Sequence, residues 1–190
     1  MAVMTVVLLE LAEAVLLFYA ASWIALYLHE LGHAAAARAL GVRIWGIRLG
    51  LGPSLFDGAV AGCRLRLGLV PVFGGVALDD ADASAIGYRD IRGGSWRFEW
   101  VHGAWRAPII SAAGGACNLL GVLLAAAYWT LAGKPPIGTV GGDLAFFVAA
   151  ANLSGYFNLV PCFSSDGVHL LAHVTAARRA PRPSASLSLS

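Results

Sequence analysis

Two histidines and a glutamate near the start of the chain have the types and spacing of a metal site. The segment His29-Glu30-Leu31-Gly32-His33 lies within a long apolar stretch. On a helix, residues four apart lie one turn apart on the same face, so His29 and His33 can bind one metal ion. Glu30 lies at the neighbouring edge of that face, where it can take a proton from an attacking water. The pattern predicts a zinc site with a general base, as in a metal-dependent hydrolase.

Two histidines leave a catalytic zinc one protein ligand short. The best candidate for the third ligand is Asp166, which follows an apolar stretch interrupted by Pro161, with the polar Asn158 beside the interruption. Irregular backbone at membrane depth is tolerated where protein or a water-filled cavity surrounds it, and hydrolysis needs water. Two alternatives stay open: Asp166 ends a helix at the membrane interface, or it forms a separate site with His169 and His173.

Asn118 is a lone amide in an otherwise apolar stretch. The small residues 114–117 precede it, and small residues allow helices to approach closely. Asn118 could therefore face the zinc and donate to a developing oxyanion. A plain interhelical hydrogen bond is the alternative.

The composition is that of a membrane protein. Hydrophobic residues make up 58% of the chain, charged residues only 13%, and the mean hydropathy is +0.72. Soluble domains average about 25% charged residues. The net charge of +2 gives no reason to expect nucleic acid as a partner. The three cysteines, odd in number and far apart, do not form a disulfide framework.

Three stretches are long and apolar enough to predict transmembrane helices, at residues 11–37, 107–132 and 144–165. We do not expect the first to be a signal peptide, because Glu10 and Glu13 and no basic residue lie at its start, and because it runs unbroken into the histidines. Leu40-Gly41 is its predicted stop. Of the 13 basic residues, 12 lie between the first two spans or after the third. This asymmetry predicts that residues 38–106 and the C-terminus are cytoplasmic and that the N-terminus is outside.

Residues 42–76, between the first two spans, predict a membrane-associated β-hairpin region. Glycines and prolines punctuate it, and Cys63 to Leu67 alternates with the period of a half-buried strand. We expect the segment from Arg64 to Pro71 to offer a strand edge to an extended substrate, although a purely structural hairpin is the alternative. The predicted substrate contacts are therefore Leu65, Leu67 and Leu69 in this segment, together with Asn158.

The rest of the chain carries little chemistry. Residues 79–103 are polar and predict a cytoplasmic loop, and residues 179–190, rich in proline and serine, predict a disordered tail. Residues 1–178 then form a single membrane core. The predicted fold class is an α-helical membrane protein with three spans and a β-hairpin region between the first and second.

These motifs, in this order, resemble the site-2 protease family of intramembrane zinc metalloproteases. The resemblance covers about residues 10–175 and is carried by the zinc motif 29–33, the β-region segments 49–56 and 69–76, the glycine-to-asparagine segment 112–118, and the NxxPxxxxDG segment 158–167. Three positions depart from the family pattern: Gly115 often is proline, Ser164-Ser165 often reads Pro-Leu, and one extra residue separates Pro71 from Gly74. None of them removes a ligand.

The resemblance implies one zinc per chain, held by His29, His33 and Asp166, and Glu30 as the base for peptide hydrolysis. It implies single-span membrane proteins as substrates, the lipid bilayer of a bacterial cell membrane as surroundings, and an accessory membrane protein as a further partner. Residues 133–143 leave no room for the PDZ domain that many members carry, so a minimal core is expected. The rival readings are a non-catalytic membrane adaptor and a metal-transporting or metal-sensing membrane protein.

Overall fold

The computed structural model describes residues 2–78, 88–91, 95–98, 106–160, 166–167 and 170–171. This part of the chain is mostly helical, with a β-hairpin region after the first helix. Its elements, in chain order, are α1 (Ala2–Ala39), β1 (Ile44–Val60), β2 (Cys63–Leu78), β3 (Tyr88–Ile91), β4 (Ser95–Phe98), α2 (Arg106–Leu131), α3 (Val140–Tyr156) and a 3-10 turn (Phe157–Leu159).

Helix α1 is longer than the predicted span of 11–37, because it begins at Ala2. No proline or glycine precedes Gly32, and Glu10 and Glu13 are good helix formers that shorten an apolar window without breaking a helix. The helix ends at Ala39, and Gly41 follows with a φ of 72°. The Val42 amide donates to the carbonyl of Ala37 at 2.9 Å, so the left-handed glycine caps the last turn.

Two of the described helices, over Val3–Ala39 and Pro108–Leu131, are long and apolar enough to cross a membrane. The predicted third span is only 17 residues of α-helix, Val140–Tyr156, followed by the 3-10 turn. Its start lies four residues before the prediction, because Thr139 caps it by accepting a hydrogen bond from the Gly142 amide. Residues 161–165, the predicted end of that span, lie outside the described residues.

Strand β1 bends sharply, so that its two parts lie on opposite sides of the first part of β2. Gly50 has a φ of 78°, which glycine adopts without strain. After this bend, residues 54–60 form a tight hairpin with the first part of β2, while residues 64–67 also pair with the first part of β1. Residues 74–78 pair with the other side of that first part. The two strands therefore build a sheet four segments wide.

A second hairpin lies within the segment that we predicted to be a polar loop. Strands β3 and β4 pair antiparallel, with Tyr88 opposite Phe98 and Ile91 opposite Ser95. Each strand has only four residues. A period-two alternation of apolar and polar residues is hard to recognise over so short a segment when charged residues surround it.

Helices α2 and α3 meet through a reciprocal pair of contacts. Each carries the sequence Asn-x-x-Gly, at 118–121 and at 152–155. Asn118 packs on Gly155, and Asn152 packs on Gly121, so closely that a Cβ on either glycine would overlap the facing amide. Both asparagines are fully buried, at 1% and 0% exposure. The pairs fix how α2 lies against α3.

We predict that Gly121→Ala lowers the free energy of unfolding by about 1–3 kcal/mol, because the new methyl group overpacks the contact with Asn152. Unfolding of the purified protein in detergent measures it. The matched control is Gly141→Ala in α3, where the atom nearest to a Cβ would be the hydroxyl of Tyr128, at 3.2 Å, and Pro135 would lie at ordinary contact distance. Equal effects at the two glycines would contradict the assignment.

Candidate metal centre

The two histidines of α1 are buried against α2. His29 is 7% exposed and His33 is 8% exposed. The rings fit because Gly114 has no side chain: a Cβ there would collide with the His33 ring and reach within 2.9 Å of the His29 ring. The Nδ1 atom of His33 lies 2.7 Å from the carbonyl oxygen of Ile110. A carbonyl only accepts, so Nδ1 carries the proton and Nε2 keeps its lone pair for a metal.

Asp166 brings a carboxylate oxygen to the same point. Its Oδ2 atom lies 3.0 Å from His29 Nε2 and 3.3 Å from His33 Nε2, and the two Nε2 atoms are 3.1 Å apart. Tetrahedral zinc, with ligands at about 2.0–2.1 Å, separates neighbouring donors by about 3.3 Å. The three donors therefore fit one face of a zinc coordination tetrahedron. Within the described residues they are also the one cluster of at least three potential ligands.

Asn158 lies next to the three donor atoms of this cluster. Its Nδ2 donates to Asp166 Oδ2 at 2.9 Å and lies 3.4 Å from His29 Nε2. The 3-10 turn after α3 carries it there. A side-chain amide so placed can orient the carboxylate ligand and can also donate to an oxygen of a bound substrate.

Glu30 is buried beside the cluster and is not one of the three donors. It is 4% exposed, and its Oε2 atom has no hydrogen-bond partner among the described residues. The end of β2 closes over it: a Cβ on Gly74 would lie 2.5 Å from Oε1. A buried carboxylate oxygen without a partner is costly, and a water or a substrate group would satisfy it.

Asn118 lies on the other side of His29. Its amide meets the Nδ1 atom of the ring at 3.2 Å, whereas the other two ligands surround Nε2. The structure therefore places Asn118 on the Nδ1 side of His29 and Asn158 on the Nε2 side, where the three donors meet.

An apolar groove of about 580 Å³ runs between α1 and the β1–β2 sheet, and Glu30 lies in its wall. Of the three predicted substrate contacts in β2, Leu65 and Leu67 line it and Leu69 does not. The Leu69 carbonyl instead accepts a hydrogen bond from the Tyr19 hydroxyl at 2.6 Å. Cys63, a free thiol, also lines the groove.

The expected strand edge at Arg64–Pro71 is not free over its first four residues. Residues 64–67 pair on both sides, because β1 bends back at Gly50 and supplies a partner to each. The segment that combines proximity to Glu30 with an unpaired side, among the described residues, is 74–78.

The far end of the hairpin is polar. Arg64 donates two hydrogen bonds to the Asp57 carboxylate, at 3.1 and 3.3 Å. These bonds hold the pKa of Asp57 below its ordinary value. Both side chains are exposed, and Asp57 lies on the edge of the sheet away from residues 74–78.

Sequence reasoning missed three contributors to the site. The Ile110 carbonyl gives no sequence signal, because any residue has one. Gly114 and Gly74 were noted only as parts of motifs, yet the structure uses their missing side chains to admit His33 and Glu30. Pro161, His169 and His173 lie outside the described residues.

Comparisons with known proteins also indicate a zinc-dependent peptidase site. The family model described as Peptidase family M50 matches residues 17–153. A protein of Campylobacter jejuni named "Putative zinc metalloprotease" is 36% identical over 66 residues, which are 35% of this chain and 18% of that protein. One of Chlamydia pneumoniae with the same kind of name is 42% identical over 48 residues, 25% of this chain and 8% of that protein. The chain thus covers less than a fifth of either relative's length.

We predict that Asp166→Ala loses zinc affinity by more than about 100-fold, because it removes a donor and not an outer-shell partner. Chelator competition on the purified protein measures it. The control is Asp143→Ala, whose carboxylate accepts from the Gly138 amide and is not in the cluster. His169→Ala and His173→Ala should also keep zinc. An Asp166→Ala protein that binds zinc normally would refute the ligand assignment.

Proposed function

Because the chain belongs to peptidase family M50, the site-2 protease family, we propose that it is an intramembrane zinc metalloprotease. It would hydrolyse peptide bonds in or near the transmembrane segments of membrane-tethered proteins, as in regulated intramembrane proteolysis. The observation that carries the proposal is the position of Glu30: it lies beside three zinc-type donors, in the wall of an apolar groove, with one carboxylate oxygen unpaired among the described residues.

The residues divide the chemistry among them. His29, His33 and Asp166 would hold one zinc ion per chain. When bound, zinc would supply a Lewis acid for the substrate carbonyl and for the attacking water. Glu30 takes a proton from that water and returns it to the leaving amine. Asn158 keeps the Asp166 carboxylate in place, and its amide is close enough to the ligand atoms to donate to the developing oxyanion.

The groove suits an apolar substrate. Its wall is almost wholly aliphatic and aromatic, and Leu65 and Leu67 lie on the sheet side of it. A helical substrate must unwind before its carbonyls can be attacked, and backbone groups left unpaired in lipid are costly. The unpaired side of residues 74–78 offers backbone partners next to Glu30.

The surroundings follow from the same proposal. Helices α1 and α2 would cross the membrane, and α3 would lie in a third span. The distribution of basic residues supports a cytoplasmic position for residues 38–106 and the C-terminus. We propose single-span membrane proteins as substrates, a bacterial cell membrane as the location and an accessory membrane protein as a possible further partner.

Neither rival explains the site as well. An adaptor or a metal-binding membrane protein could use the three ligands but has no need of Glu30, a buried carboxylate outside the ligand set. Metal content separates the classes: one zinc per chain supports the protease, whereas two or more would support a transporter or sensor.

We predict that Glu30→Gln abolishes cleavage and keeps zinc, because the amide retains the shape of the side chain but cannot act as a base. The assay is co-expression with a panel of single-span proteins, followed by metal analysis of the purified variant. Glu13→Gln, the same change on the exposed part of α1, is the control and should cleave normally. Loss of zinc in Glu30→Gln would identify Glu30 as a ligand, and full activity would remove it from the mechanism.

We also predict that Leu65→Trp reduces cleavage by about 10-fold or more, because the larger ring fills the groove that receives substrate. Zinc content should not change. The matched control is Leu69→Trp, four residues further along the same strand and outside the groove lining, which should cleave like the wild type. Equal losses in the two variants would contradict the role of the groove.

A further inference from the structure

Asn118 is a buried amide whose one described polar contact is a zinc-type ligand. It is 1% exposed, and its Oδ1 atom has no hydrogen-bond partner among the described residues. The contact joins its Nδ2 position to His29 Nδ1 at 3.2 Å. The contact with His29 is therefore the polar interaction through which Asn118 can influence the site.

The two histidines meet different groups at Nδ1. The carbonyl of Ile110 can only accept, and this sets the tautomer of His33 with its Nε2 lone pair toward the other ligands. His29 faces an amide, which has an accepting and a donating end of nearly the same shape. For His29 to bind metal through Nε2, its Nδ1 must carry the proton and needs an acceptor. The amide oxygen of Asn118 is the acceptor within reach, once the amide is turned end for end.

We propose that Asn118 is a positioning residue for zinc: its Oδ1 accepts the Nδ1 proton of His29 and thereby fixes the ring and its tautomer. The proposal rests on the zinc site proposed above. It differs from the role predicted from the sequence, because Asn118 acts through His29 and does not touch the substrate. In the opposite amide orientation, Nδ2 donates to Nδ1, and the neutral ring then carries its proton on Nε2, where it cannot bind metal.

The packing holds Asn118 in place for this role. A Cβ on Gly155 would overlap its amide nitrogen, so α3 presses directly on the side chain. The reciprocal residue Asn152 has the same burial and the same packing on a glycine, at Gly121. Its amide, however, donates to the carbonyl of Val148 in its own helix at 2.9 Å. Asn152 therefore provides a control that shares the structural role of Asn118 and lacks the contact with a ligand.

The test compares the zinc affinity of the full-length wild type with that of Asn118→Leu, Asn118→Asp and Asn152→Leu, by chelator competition in detergent. Leucine keeps the branched shape and removes the acceptor, so Asn118→Leu should bind zinc about 10–100-fold more weakly. Aspartate is an acceptor at both oxygens and should restore affinity to within about 3-fold of the wild type, as carboxylate–histidine–zinc pairs do. Asn152→Leu should also stay within about 3-fold.

Three results would overturn the proposal: normal affinity in Asn118→Leu, equal losses in Asn118→Leu and Asn152→Leu, or a loss in Asn118→Asp as large as in Asn118→Leu. A wild type that binds no zinc would overturn the proposed function as well, which separates the two failures. If a variant does not fold, ¹⁵N spectra of the histidine rings in the zinc-loaded wild type decide the question. A proton on His29 Nδ1 supports the proposal, and a bare Nδ1 refutes it.

Discussion

The structure depends on bringing three polar donors, two from one turn of α1 and one from a residue more than 130 positions later in the sequence, to within about 3 Å of one another inside an apolar bundle. The donor atoms of His29, His33 and Asp166 lie 3.0–3.3 Å apart. Such groups are costly in an apolar environment unless they are paired or bound to metal. The helices must therefore approach closely, and glycines make this possible: Gly32 of α1 faces the Ala113 backbone, and Gly114 of α2 faces the two imidazoles.

Glycines also allow the close contacts that other elements make with the site. The β1–β2 sheet reaches Glu30 because Gly74 has no Cβ, and α3 reaches Asn118 because Gly155 has none. The sheet and α3 thus approach the zinc motif from separate directions. Between α1 and the sheet an apolar groove remains, with Glu30 in its wall. The proposed hydrolysis of an apolar, membrane-derived peptide would use both the apolar wall of the groove and the polar centre beside it.

Much of this arrangement follows from local sequence patterns. The spacing of His29 and His33 needs only a helix, and Gly41 ends that helix where a helix stop was expected. Asp166 could be placed near the histidines by its resemblance to a known motif, but not by spacing, because it lies 133 positions after His33. The start of α1 was missed because acidic residues interrupt its apolar window without breaking the helix.

What the sequence could not predict depends on tertiary packing. The double pairing of residues 64–67 follows from one bend at Gly50, and a local alternation pattern looks the same in an edge strand and a central one. Likewise, a lone asparagine in an apolar helix marks a polar contact but not its partner. Which nitrogen of His29 it meets depends on the crossing of α1 and α2 and on Gly155 of α3.

In the proposed site, two imidazoles and one carboxylate of this chain bind a single zinc ion. X-ray absorption at the zinc edge of the purified, zinc-loaded protein measures that ligand set directly. We predict one zinc per chain with a shell of two imidazole nitrogens and oxygen ligands at about 2.0–2.1 Å. A third imidazole, a sulfur ligand at about 2.3 Å, or a second zinc per chain would contradict it.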